Sequence, residues 1–160
     1  MTCQICPVDP DYRASVDALI RDEWNGPMVV TKGLVWDTSK LPGFASVDES
    51  GVLCGAVTYR VDGAECEITS LNSLRDGQGI GSALIRAVLD VARKRGCKKL
   101  FLITTNDNTH AIRFYQRFGF SLKAVHIGAL NESRRLKPSI PSLGMDDIPL
   151  LHEFEFEIWL

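Results

Sequence analysis

Hydrophobic positions recur along this chain with two periods, and the switches between them outline its elements. Over residues 11–23 the apolar positions are Val16, Leu19 and Ile20, with Trp24 beyond; this is helical spacing, and Asn25-Gly26-Pro27 stops it. Residues 28–35 are β-branched and predict a short strand or an irregular arm. Residues 44–47 and 52–61 flank Asp48-Glu49-Ser50-Gly51 as a hairpin. Asp62-Gly63 makes the next turn, and residues 65–71 form the third strand of a meander. Leu84, Ile85, Val88, Leu89 and Ala92 draw one apolar stripe on a helix from about Gly79 to Arg95, which Gly96 closes. Leu100-Phe101-Leu102-Ile103 is a near-continuous apolar run, as a buried strand parallel to its predecessor requires. A second helix spans residues 109–117 and stops at Gly119; residues 121–127 form a strand. Residues 152–160 alternate, with Phe154, Phe156, Ile158 and Leu160 on one side and Glu153, Glu155 and Glu157 on the other. That predicts a half-buried strand with a solvated glutamate face. Between the last two strands runs an excursion of about twenty residues, a length that marks a segment as either functional or disordered. It carries Pro138, Pro141, Gly144 and Pro149, and residues 131–137 read as a short polar helix within it.

Composition narrows the classes. The 160 residues carry no repeat or linker and predict one domain over 1–160. With 45% apolar residues, 24% charged residues and a net charge of −2, nothing favours nucleic acid. The basic cluster Arg93-Lys94-Arg95 with Lys98-Lys99 reads as a solvated helix end. No apolar run approaches the roughly eighteen residues of a membrane span, and no secretory signal is visible. Five cysteines are an odd number. Cys3-x-x-Cys6 lacks the second pair or nearby histidine of a zinc site, so no metal is expected. Cys54, Cys66 and Cys97 read as small core residues in a reducing cytoplasm.

The chemistry concentrates in Gly77-Gln78-Gly79-Ile80-Gly81-Ser82-Ala83-Leu84-Ile85. Glycines at every second position open into an amphipathic helix, so bare amides and the positive helix end make an anion site. The dinucleotide fingerprint fails, because its third position falls on Ser82 or Leu84. The Gly-Lys-Ser/Thr of a nucleotide P-loop is absent.

Two blocks together resemble the GCN5-related N-acetyltransferases, the GNAT family. Residues 67–71 leading into the glycine loop resemble that family's acetyl-CoA pyrophosphate loop. Asn108-Thr109-His110-Ala111-Ile112-Arg113-Phe114-Tyr115-Gln116-Arg117-Phe118-Gly119-Phe120 resembles its Asn-x-x-Ala-x-x-Phe-Tyr-x-x-x-Gly-Phe block. The likeness covers residues 50–127 well. It implies an α/β fold with a central mixed, mostly antiparallel sheet, a parallel splayed strand pair and flanking helices. One departure stands out: Asp76 occupies the place before the first glycine where the family often has Arg or Gln, and Arg75 is displaced by one position. Asp76-Gly77 is also a favourable turn dipeptide.

The resemblance implies acetyl-CoA as co-substrate and aminolysis of its thioester by a primary amine of a small molecule or peptide. It implies cofactor contacts at Leu71, Asn72, Ser73, Gly77, Gln78, Gly79, Ile80, Gly81, Ser82, Ala83, Asn108 and Tyr115. Tyr115 is the candidate acid at the leaving sulfur and Glu67 the candidate base; Glu65 and His126 compete for the second role. By spacing alone, Tyr115 is an aromatic core residue, Glu67 an ion-pair residue and Asn108 a helix cap. Trp24, Trp36 and the excursion are candidate walls for the acceptor. Glu153, Glu155 and Glu157 suit a cationic acceptor, Arg134 and Arg135 an anionic one, and the sequence leaves that open. No nucleic-acid or membrane partner is expected, and a homodimer is compatible with the reading. A non-catalytic acyl-CoA sensor and a nucleotide- or partner-binding domain are the competing functions.

Overall fold

The computed structural model describes residues 2–160. The main sheet holds seven strands: β1 (Gln4–Pro7), β4 (Gly43–Val47), β5 (Leu53–Asp62), β6 (Glu65–Ser73), β7 (Lys99–Thr105), β8 (Ser121–His126) and β9 (Glu153–Trp159). Their spatial order is β1-β4-β5-β6-β7-β9-β8. Only β6 and β7 pair in parallel; every other neighbour is antiparallel. The parallel step needs a crossover, and α2 (Ile80–Lys94) supplies it. The predicted mixed α/β architecture is therefore the observed one.

The stripe on α2 is buried as its period predicts: Leu84, Ile85, Val88, Leu89 and Ala92 join Ile80 against Val57, Leu100, Leu102 and Phe156. Full burial of each aliphatic side chain contributes about 1.5–3 kcal/mol. The other helix of this face, α3 (Thr109–Phe118), adds Tyr115 to the same core. On the opposite face α1 (Arg13–Trp24) packs Val16, Leu19 and Ile20 onto Ala45, Val47 and Ala56. Among the described residues, no helix is long and apolar enough to cross a membrane.

Several expectations need correction. β1 has no counterpart in the hydrophobic pattern; it is a four-residue strand ending in a proline. Residues 28–35 are not one strand but part of a separate hairpin, β2 (Met28–Thr31) with β3 (Leu34–Asp37). Lys32 and Gly33 turn it with φ of 51° and 74°, the doubly left-handed pair that a two-residue hairpin loop demands. The short helix expected in the excursion is present as α4 (Ala129–Leu136), and a 3-10 turn follows at Met145–Asp147. The glutamate face of β9 is not solvated: Glu153 and Glu155 are each 2% exposed. The β2–β3 turn lies over them, with the Lys32 ammonium 3.2 Å from Glu155 and the Lys32 amide donating to Glu153 at 3.2 Å. Lys99, grouped with the solvated cluster, is also buried, between Glu65 and Glu157.

Candidate active site

A gap opens where the parallel pair separates. β6 and β7 pair from Glu65↔Lys99 to Ile68↔Leu102 and no further. Against β5, Ile68 faces Tyr59 while Ser70 faces Thr58, so Thr69 is an extra residue. Such a bulge bends the strand that carries it. The Thr58 hydroxyl fixes it by bonding both Thr69 and Ser70. β7 meanwhile stays paired with β9 as far as Thr105↔Glu153. Leu71, Asn72 and Ser73 thus keep β5 on one side and have no β7 partner on the other. A cavity of about 560 Å³ lies over this divergence, with Thr69, Leu71, Asn72, Thr104 and Asn108 among its walls.

The glycine loop sits at the end of β6. The amides of Gly77, Gln78 and Gly79 donate to no acceptor among the described residues. Intrahelical bonding begins only with Ala83 to the Gly79 carbonyl, so the amides of Ile80, Gly81 and Ser82 are left over as well. Gly79 caps the helix with φ of 73°, a conformation a side chain would strain. A Cβ at Gly81 would stand 3.1 Å from the Phe114 ring, so bare backbone lets α3 close onto the first turn of α2. The side chains of Gln78 and Ala83, with Gly79 and Ile80, border a smaller hollow of about 290 Å³ toward β1 and β4. Ser82 stands on the first helical turn, half-buried.

The departure before the first glycine has a structural explanation. Arg75 turns to the β4–β5 hairpin and pairs with Asp48 at 2.7 Å. That hydrogen bond, with those from the Val52 and Ser50 amides, holds the Asp48 carboxyl below its ordinary range despite desolvation. The Leu74 amide donates to the Cys54 carbonyl at 2.8 Å and the Ser73 hydroxyl to the Arg75 carbonyl at 3.1 Å. The loop is therefore pinned at its base by Arg75, and Asp76 is exposed.

Tyr115 is 8% exposed and sits among rings, with centroids 5.5 Å from Phe114, 5.7 Å from Phe120 and 6.0 Å from Phe156. Burial pushes its phenol above the ordinary tyrosine range, so it stays protonated at neutral pH. Glu67 faces the other side of the sheet and is 1% exposed. Its Oε1 accepts from Arg60 Nε at 3.0 Å and its Oε2 from the Thr31 hydroxyl at 3.0 Å. Desolvation raises its pKa, against the pull of Arg60 and Thr31. Glu67 is not among the cavity walls, nor are Tyr115, Glu65 and His126. Glu65 is spent on Lys99 and His126 on Glu155. The two tryptophans separate: Trp24 lines the cavity and donates to Asn72 Oδ1 at 3.1 Å, whereas Trp36 lies under the Arg60 guanidinium, 4.1 Å away, and donates to Thr31.

The open question of acceptor charge is narrowed by geometry. Arg134 is spent on the carbonyls of Pro141 and Leu150, and Arg135 on the exposed Glu132. Neither lines the cavity; Glu23, Asp107, Lys137 and Glu153 do. The Lys137 ammonium bonds the carbonyls of Trp24 and Met28, tying α4 to the end of α1 and to β2. Lys137 lies in the excursion that the sequence offers as a candidate wall, whereas Asp107, in the turn between β7 and α3, carries no sequence signal.

Asn108 caps its helix as its spacing predicts. It lines the cavity, and its Oδ1 caps α3 by accepting from the Ala111 amide at 3.2 Å. Asn108→Ala is expected to cost about 1 kcal/mol. In a chain of this size, thermal melting should register that as a fall of about 2–4 °C.

The acetyltransferase (GNAT) family model matches residues 8–120. The uncharacterized protein YdhI of Bacillus subtilis (strain 168) is 41% identical over 133 residues, covering 83% of this chain and 83% of its own. YxbD of the same organism is 35% identical over 152 residues, 95% of this chain and 92% of its own. In fold, the chain resembles a GNAT family acetyltransferase from Elizabethkingia anophelis solved with acetyl-CoA bound, with a TM-score of 0.71, 16% identity and 99% of each chain covered. With the splayed strands and the glycine loop in the same chain as that match, the protein belongs to the GNAT family of acetyltransferases.

Proposed function

We propose that this chain is an acetyl-CoA-dependent N-acetyltransferase acting in the cytoplasm on a primary amine of a small molecule or peptide. The observation that carries the reading is the row of unbonded amides from Gly77 to Ser82 at the head of the gap between β6 and β7. A diphosphate bonded there gains charge-assisted hydrogen bonds of about 1.5–3 kcal/mol each. The free edge at Leu71 and Ser73 suits pantetheine amides, which add to it as a short strand does. In the transfer, the amine nitrogen bonds to the acetyl carbon, the carbon–sulfur bond breaks, and the sulfur takes up a proton. Tyr115, kept protonated by its burial, supplies that proton in our reading.

Acetyl-CoA at 100 times its Kd should stabilise the protein by about 2.7 kcal/mol, readable as a rise in melting temperature. Stabilisation by ATP or NAD without any by acetyl-CoA would refute the assignment. Binding without thiol release over a broad amine panel would leave an acyl-CoA sensor in its place. Tyr115→Phe is expected to lower kcat about 100-fold, the low end for a general acid, with the acetyl-CoA Kd held within about twofold. Unchanged kcat would remove Tyr115 from the acid role.

A further inference from the structure

One wall of the cavity carries a carboxylate oxygen with no hydrogen-bond partner among the described residues. Glu153 opens β9 opposite Thr105, and both belong to the region where the gap ends. Its side chain lines the cavity and is 2% exposed. Oε2 accepts the Lys32 amide, but Oε1 is buried without a hydrogen-bond partner among the described residues. Leaving a buried acceptor unpaired costs about 1–3 kcal/mol, more when it is charged. A donor on a ligand that enters the cavity would relieve that cost at Glu153. The neighbouring carboxylates are differently placed. Glu67 has both oxygens engaged. Glu155 Oε2 also lacks a hydrogen bond among the described residues, but it faces the Lys123 ammonium at 3.4 Å and Glu155 is not a cavity wall. Bonds from His126 and Lys32 outweigh its burial and hold it below its ordinary range.

Resting on the acetyltransferase reading, we propose that Glu153 receives the acceptor's ammonium group through Oε1 and takes its first proton, which makes cationic primary amines the substrate class. The step balances. One proton passes from the ammonium to Oε1, and the neutral nitrogen then attacks the acetyl carbon as the carbon–sulfur bond breaks. The nitrogen's second proton replaces the one that Tyr115 gives to the sulfur, and Glu153 returns its own to solvent. Burial supports the role by raising the carboxyl above the ordinary glutamate range, which improves it as a proton acceptor. The charged and titratable groups around it are Lys32 from the hairpin turn, His126 from β8, Glu67 from β6, and the other charged cavity walls Glu23, Asp107 and Lys137.

The test uses the full chain with coenzyme A present and methylammonium, the reacting group alone, as probe. Carboxyl carbon NMR of the wild type and Glu153→Gln identifies the Glu153 signal. It should titrate above the ordinary glutamate value of about 4.3 and move on adding methylammonium. A signal that titrates normally, or that ignores methylammonium, overturns the proposal. In thiol-release assays with methylamine, spermidine and L-lysinamide, Glu153→Gln should lose at least about 100-fold in kcat/KM with acetyl-CoA stabilisation unchanged. Glu153→Asp, which keeps the charge, should recover part of that loss. Wild-type rates in Glu153→Gln overturn Glu153 alone. Absence of acetyl-CoA stabilisation in the wild type overturns the acetyltransferase reading beneath it.

Discussion

Gly79→Glu is expected to abolish acetyl-CoA binding while the fold stands. Gly79 is exposed, and a Cβ there meets nothing within 4 Å. The cost to the free protein is confined to its φ of 73°, about 1–2 kcal/mol for a residue with a side chain. The cost to the ligand is far larger. A carboxylate is set among the amides of Gly77 to Ser82, where it competes for their hydrogen bonds and repels a diphosphate. Losing two charge-assisted bonds alone is worth about 3–6 kcal/mol. At 1.4 kcal/mol per factor of ten, affinity should fall at least about 100-fold. The thermal shift with acetyl-CoA should disappear, whereas Gly79→Asn, which tolerates the left-handed conformation and carries no charge, should keep most of it. Full stabilisation of Gly79→Glu by acetyl-CoA would place the diphosphate elsewhere.

This prediction could be framed from the sequence because everything it uses is local. The α2 stripe, the glycines ahead of it and the Asn108 cap are fixed by neighbours a few residues away, and each appears at its expected place. The parallel strand followed from the apolar run in β7. What the sequence hid depends on segments far apart in the chain. The alternation in β9 correctly separated two faces, but alternation cannot say whether another segment covers the charged one. Here Lys32, more than a hundred residues upstream by number, covers Glu153 and Glu155. The hairpin that delivers it turns at Lys32-Gly33 rather than at the Asn-Gly or Asp-Gly that marks such turns in sequence. Arg75 is a similar case: its displacement by one position marks a departure from the family pattern, and only the return of the β4–β5 hairpin shows Asp48 beside it.

Glu67→Ala is expected to be the most destabilising single change near the site, by about 3 kcal/mol, the low end for breaking a buried pair because Arg60 is 19% exposed. It strips a partner from Arg60 and from Thr31 together. Among the described residues, Arg60 keeps an exposed contact to Asp62 at 3.8 Å and its stacking on Trp36. Thr31 is itself a cavity wall, so the loss spreads to the acceptor side. Melting should fall by about 6–12 °C. Glu67→Gln, whose amide oxygen can still accept one of these bonds, should cost less, and its pH dependence has a definite sign. The folded carboxyl is raised above the unfolded value of about 4.3, chiefly by desolvation, so folding favours its protonated form. The wild-type advantage over Glu67→Gln is therefore greatest below about pH 4 and shrinks as pH rises through the raised value. Denaturant melts of both proteins across that range decide the matter. An advantage that grows with pH would mean that attraction to Arg60 outweighs the cost of desolvating the pair. In turnover, Glu67→Gln should stay within about tenfold of wild type, since its oxygens serve Arg60 and Thr31; a loss of about 100-fold or more at intact stability would return the proton-accepting role to Glu67.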